Sequence, residues 1–205
     1  MQAISWPANV SVMQSVVADS PVDKARELIC EQALIVGAPY VWFVDDDTVP
    51  PTAALRMLLH ALEQHPEAGA IGGIYCIKEE PTYPLVFNEF GNGPFWDWRA
   101  GEVFPIWAVG TGCMLIRTEA LKNLPKPWFK FIDMASNEGV FSEGLKVNNI
   151  YVGEDVYFCD KLKQAGYKVL AHGGVLCDHW DMQTGKCYSL PKDSRPYKDS
   201  DATES

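Results

Sequence analysis

At 205 residues, with 47% hydrophobic and 21% charged side chains, the chain is long enough for one domain with a sizeable core. Seventeen basic against 27 acidic residues leave a net charge of −10, which argues against a nucleic-acid binder and against attraction to an anionic membrane surface. No stretch approaches the roughly 18 consecutive apolar residues of a membrane span, and no signal peptide is visible at the amino terminus. Six cysteines without a Cys-x-x-Cys pair, most of them inside apolar runs, read as buried thiols of a reduced, cytoplasmic protein.

In chain order, residues 1–9 carry little pattern and Val10–Val16 reads as a short strand. Ser20-Pro21-Val22-Asp23 predicts a helix start, with Ser20 as cap and Asp23 completing a capping box. Val22, Ala25, Ile29, Ala33 and Val36 recur at helical spacing and Gly37 closes the helix. Tyr40-Val41-Trp42-Phe43-Val44 is a short apolar run rich in β-branched and aromatic residues, the signature of a buried strand. It runs directly into Asp45-Asp46-Asp47, which cannot share that burial and must sit where the strand emerges. Three crowded carboxylates repel one another unless a cation intervenes, and hard oxygen ligands suit Mg²⁺ or Mn²⁺. A solvated acidic turn is the alternative.

Thr52 is expected to cap a second helix with Leu55, Leu58, Leu59 and Leu62 on one face, ended by His65-Pro66. Gly69–Tyr75 reads as a strand whose glycines imply backbone packed close to something. Between Pro81 and Pro105 the pattern loosens; Phe87, Phe90, Phe95, Trp96 and Trp98 either stack on sugar rings or cover a core. Ile106–Ile116 reads as a strand interrupted by Gly110-Thr111-Gly112, and Glu119–Leu124 as a short helix. Ile150–Val152 is a further strand, ending at Gly153-Glu154-Asp155. Val156, Cys159, Leu162 and Ala165 then line a helix closed by Gly166. Tyr167–Ala171 is the last strand, leading to Cys177-Asp178-His179-Trp180, and the polar tail 191–205 is expected to be disordered. Strands alternating with helices predict one α/β domain over residues 1–190 with a largely parallel, mixed sheet flanked by helices.

Glu154 and Asp155 stand at once at a strand end and at a helix start, where the dipole favours negative charge, so a structural role is open to them as well as a chemical one. The order of the helix Val22-Asp23-Lys24-Ala25-Arg26, the acidic strand Phe43-Val44-Asp45-Asp46-Asp47, Gly72-Gly73-Ile74-Tyr75-Cys76-Ile77-Lys78, Gly110-Thr111-Gly112-Cys113-Met114-Leu115-Ile116, and Gly153-Glu154-Asp155-Val156-Tyr157-Phe158-Cys159 with His179 downstream resembles the small bacterial and phage-type nucleotide-sugar glycosyltransferases of the GT-A fold, over about residues 10 to 182. The resemblance implies Asp45 and Asp47 as the Asp-x-Asp pair, with Asp47 on the metal, Asp45 on metal or ribose, and His179 as a further ligand to Mn²⁺ or Mg²⁺. It implies Asp155, with Glu154 beside it, as the catalytic carboxylate, and Asp45, Asp46, Arg26 and Lys78 as donor contacts. The implied donor is a nucleoside-diphosphate sugar, the acceptor a hydroxyl of a carbohydrate, lipid or protein.

Two departures from the family are expected to matter. The first nucleotide-binding strand looks missing or shortened, and Glu27 follows Arg26 where the family commonly has Asn. Arg26 either meets phosphate or base, or is a helix-surface arginine paired with Asp23 or Glu27. Two other readings compete: a haloacid-dehalogenase-like phosphatase with Asp45 as nucleophile and Asp47 as acid/base, and a degenerate glycosyltransferase-like domain that binds without transferring.

Overall fold

The apolar run before the aspartates does form a strand, and the rest of the molecule is layered around the sheet it joins. A computed structural model describes residues 4–8, 10–133 and 151–190. The strands are β1 Tyr40–Val44, β2 Thr48–Val49, β3 Ala68–Ile74, β4 Val86–Phe87, β5 Val103–Ile106, β6 Ala108–Val109, β7 Cys113–Arg117, β8 Ile132–Asp133, β9 Tyr151–Val152, β10 Lys168–Leu176, β11 Asp178–Trp180 and β12 Cys187–Tyr188. The helices are α1 Val22–Ile35, α2 Ala54–Gln64, α3 Thr118–Lys122 and α4 Glu154–Gln164.

The central sheet has five strands in the order β1-β7-β3-β10-β5. Strands β1, β3 and β10 run the same way, but β7 lies antiparallel between β1 and β3, and β5 is antiparallel at the far edge. The expected mixed sheet flanked by helices is therefore present, with its parallel character in strand direction and only β3 and β10 as parallel neighbours. Both faces are covered, which is why its strands read as nearly unbroken apolar runs. Ala70, Met114, Ile116, Val169 and Ala171 face a core shared with α1, α3 and α4. Their alternates Ile71, Cys113, Leu115 and Leu170 face Leu55, Leu58 and Leu62 of α2.

Several local expectations give way to tertiary packing. Val10–Val16 makes no strand; Val10, Val12, Met13 and Val16 are exposed. Neither Ser20 nor Thr52 caps a helix: α1 begins after Pro21 and α2 after Ala53, with no side-chain cap bond in either case. On α1 the buried face is Asp23, Arg26, Cys30 and Ala33, while Val22 and Val36 of the expected apolar stripe are exposed. The helix is rotated by the demand of Arg26, whose partners lie across the sheet edge. The stretch from Ile106 to Ile116 is three short strands, because Gly110–Gly112 turns the chain between β6 and β7. The strand expected over Tyr167–Ala171 is β10, which runs five residues further, to Leu176, and it is not the last: β11 and β12 follow. Phe87, Phe90, Phe95, Trp96 and Trp98 pack partly buried against the main core, which favours the covering role.

All six cysteines are free thiols and five are buried. Among the described residues no helix is long and apolar enough to cross a membrane. Ile150 and the tail 191–205 lie outside the described residues.

Candidate active site

At the carboxyl end of β1 the chain turns sharply. The Asp45 amide donates to the Gly112 carbonyl (3.1 Å) and the Thr48 amide to the Asp45 carbonyl (3.0 Å). The turn passes into β2, which pairs antiparallel with β11 so that Thr48 faces His179 and the Trp180 amide donates to the Asp47 carbonyl (2.8 Å). This short ladder brings His179 to Asp47: Nε2 lies 3.4 Å from Oδ1. The other ring nitrogen, Nδ1, is 2.7 Å from the Cys76 carbonyl. A carbonyl only accepts, so Nδ1 carries the proton and Nε2 is the nitrogen turned to the carboxylate, the second-sphere arrangement that orients a metal-binding imidazole. Lys78 reaches the second Asp47 oxygen, Oδ2, from the segment that follows β3.

A second cluster lies beside the first. Arg26 of α1 donates through Nε to Glu154 Oε1 (3.1 Å) and through Nη2 to Asp45 Oδ2 (3.2 Å), with its guanidinium 5.3 Å from the Phe43 ring centroid. Its side chain is only 6% exposed. Burial opposes its charge, yet Asp45 and then Glu154 outweigh that cost and its pKa is raised. Arg26 thus pairs with neither Asp23 nor Glu27, and it presents almost no surface to a base.

Glu154 and Asp155, neighbours in the first turn of α4, have opposite fates. Glu154 is buried on Arg26. Asp155 is half-buried, and among the described residues it has no ion pair; its Oδ1 accepts from the Val156 amide next to it (2.7 Å). Burial, with the Glu154 charge adding, pushes its carboxyl up to about 6. Asp46 is exposed and makes no hydrogen bond or ion pair among the described residues.

Tyr75 joins the two clusters, and motif reading alone did not single it out. Its ring meets the His179 ring edge-on at 5.1 Å between centroids, and its hydroxyl accepts from the Gly112 amide (3.0 Å). That hydroxyl is pushed well above its usual pKa by burial first, then by Asp155 and Asp45. The clue in the sequence is the pair of glycines that receive it. A methyl on Gly112 would come 2.8 Å from Tyr75 Cζ and 2.9 Å from Thr48 Oγ1, and one on Gly110 would also strike the Tyr75 ring. Gly112→Ala is therefore expected to cost about 1–3 kcal/mol in urea denaturation, the scale of overpacking. A loss below a few tenths of a kcal/mol would show that the tyrosine is free to move.

The residues present fit a divalent ion of one type. The 3.4 Å between Asp47 Oδ1 and His179 Nε2 is less than two metal–ligand bonds of about 2.1 Å, so a single ion can touch both. Two lone pairs facing at that distance also repel unless a cation or proton lies between them. Among the described residues no group of three or more His, Cys, Asp or Glu side chains is placed to hold a metal. An ion held here would take two protein ligands among the described residues and would need oxygens from outside the protein for its other positions, as Mg²⁺ commonly does. Asp45, the other implied ligand, is engaged by Arg26.

A family model described as glycosyltransferase-like family 2 matches residues 8–189. No curated protein matches the chain. Among solved structures, the crystal structure of A197 from STIV is similar, with a TM-score of 0.56 and 18% identity, over 87% of this chain and 80% of that one. At that identity the likeness shows a shared fold.

Proposed function

Because the chain belongs to glycosyltransferase-like family 2, we propose that it moves a sugar from a nucleoside-diphosphate donor to an acceptor hydroxyl, with Mn²⁺ or Mg²⁺ held by Asp47 and His179. The observation that carries this reading is the approach of His179 Nε2 to Asp47 Oδ1 at 3.4 Å, with Nδ1 committed to the Cys76 carbonyl. The ion supplies charge neutralisation for the departing diphosphate.

The chain's own residues do the rest. Asp155, half-buried and next to Glu154, takes the proton of the acceptor hydroxyl as that oxygen bonds to the sugar's anomeric carbon. The bond from that carbon to the donor phosphate breaks, and its electron pair leaves with the nucleoside diphosphate. Glu154 reacts with nothing; it anchors Arg26, which in turn holds Asp45 at the donor side. Tyr75 keeps the His179 ring and the Gly110–Gly112 turn in register. The family assignment replaces the phosphatase alternative, since Asp45 here is a partner of Arg26 and not a free nucleophile.

Calorimetric titration with UDP, GDP and ADP in Mn²⁺ tests the reading. Binding of at least one nucleotide is expected to require the ion and to be lost in Asp47→Ala. Wild-type-like titration of that variant would remove the metal assignment. Ion-dependent binding with no donor cleavage across a panel of sugar nucleotides would instead mark a domain that binds without transferring.

A further inference from the structure

We infer that Lys78 is an internal counter-cation for Asp47, which competes with the divalent ion for that carboxylate and transfers to the donor phosphates when ion and donor both arrive. The inference rests on the metal site proposed above and says how that site is kept from filling without its nucleotide.

The geometry assigns the two ends of Asp47 to different partners. Oδ1 faces His179 Nε2, while Oδ2 is taken by the Lys78 ammonium. Asp47 is 22% exposed and Lys78 30%, so the pair is partly withdrawn from water yet open to a ligand. The backbone on either side of the lysine is pinned. The Ile77 amide donates to the Tyr83 carbonyl (3.0 Å), the Thr82 hydroxyl to the Ile77 carbonyl (3.1 Å), and the Leu85 amide to the Tyr75 carbonyl (2.8 Å). Any movement of the charge must come from the four-carbon stem, which is flexible and ends in a compact ammonium.

Charge balance sets the direction of that movement. Four carboxylates, Asp45, Asp47, Glu154 and Asp155, surround the site against two cations, Arg26 and Lys78. Arg26 is buried and held at two points, so it stays. Lys78 has a single ion-pair partner among the described residues, with Asp181 within reach of its charge, and is the cation that can leave. A divalent ion arriving on Asp47 would displace the ammonium by like-charge repulsion, and alone it would leave that ammonium with Asp181, already engaged by Thr184, in place of a directly paired anion. A diphosphate arriving with the ion supplies one. The ion and the nucleotide therefore bind with positive coupling, to which Lys78 adds beyond the direct ligation of the ion by phosphate oxygens.

Lys78→Met keeps the stem and removes the charge. Titration of Mn²⁺ alone, followed by calorimetry and by the electron spin resonance of free Mn²⁺, is expected to show binding about tenfold tighter in this variant than in wild type. Titration of UDP and GDP in saturating Mn²⁺ is expected to show the reverse, with affinity at least about tenfold weaker. Lys78→Arg should retain part of the coupling. Melting curves check that each variant is folded. If the wild type binds Mn²⁺ through Asp47 and His179 but Lys78→Met leaves both affinities unchanged, the counter-cation role is wrong and the metal site stands. If His179→Ala binds Mn²⁺ as tightly as wild type, or if no variant binds it with or without nucleotide, the metal site fails and the inference with it.

Discussion

At pH 7.5 the Asp155→Asn protein is expected to melt higher than wild type while transferring sugar at least about 100-fold more slowly, the scale on which a general base is lost. The opposite signs come from one cause. Burial and the neighbouring Glu154 raise the Asp155 carboxyl to about 6 from the ordinary 3.8. A carboxyl whose folded pKa is raised favours folding in its protonated form. Its contribution is complete below pH 3.8 and is lost as pH climbs through 6. Above pH 6 the native protein holds an ionised, poorly hydrated carboxylate beside another, at a cost of about 1–3 kcal/mol by linkage. Asparagine carries no charge, and its side-chain oxygen can still accept from the Val156 amide as Asp155 does at 2.7 Å. Most of the gain in melting temperature should disappear at pH 4, where native Asp155 is almost fully protonated. In wild type, kcat/KM should rise with pH to a plateau with an apparent pKa near 6. A variant that is destabilised at every pH and still turns over would make Asp155 a helix-terminus charge and not the base.

Arg26→Met is expected to be the most destabilising single change around the site, by about 3–5 kcal/mol. The arginine is 5% exposed and is the only cation on buried Glu154 among the described residues. Removing it strands a carboxylate in the interior, and that penalty exceeds what the ion pair itself contributes. The double variant Arg26→Met/Glu154→Gln should therefore recover more than half of the loss, because it removes the unpaired charge along with its partner. Chemical denaturation of the two single variants and the double one closes the cycle. If the double variant is as unstable as Arg26→Met alone, the cost lies in lost packing over Phe43, where the guanidinium sits 5.3 Å from the ring, and not in the stranded charge. Asp45 would also lose its anchor, so Arg26→Lys, which keeps one charge but not the two-pronged geometry, should fold better than Arg26→Met and still bind nucleotide poorly.

The sequence by itself determined which segments are strands and helices in the core, and where along the chain the carboxylates lie. Apolar runs such as Tyr40–Val44 and the leucines of α2 have only one way to bury themselves, and a run of aspartates cannot follow a strand into the core. Apolar sequence surroundings likewise foretold burial for most of the cysteines, five of which are buried while Cys187 is not. Tertiary structure alone decided the neighbours. Nothing local marks β7 as the strand inserted between β1 and β3, because pairing depends on which edges meet when the layers pack. Nothing local turns Arg26 inward on α1 either: its helical periodicity favours Val22 and Val36, and only the distant Asp45 and Glu154 repay the burial of a guanidinium. The same holds for Glu154 and Asp155. Adjacent and chemically alike in the sequence, they have different partners because consecutive helix positions are 100° apart: one pairs with Arg26, while the other accepts from the Val156 amide and its charge acts on the Tyr75 hydroxyl.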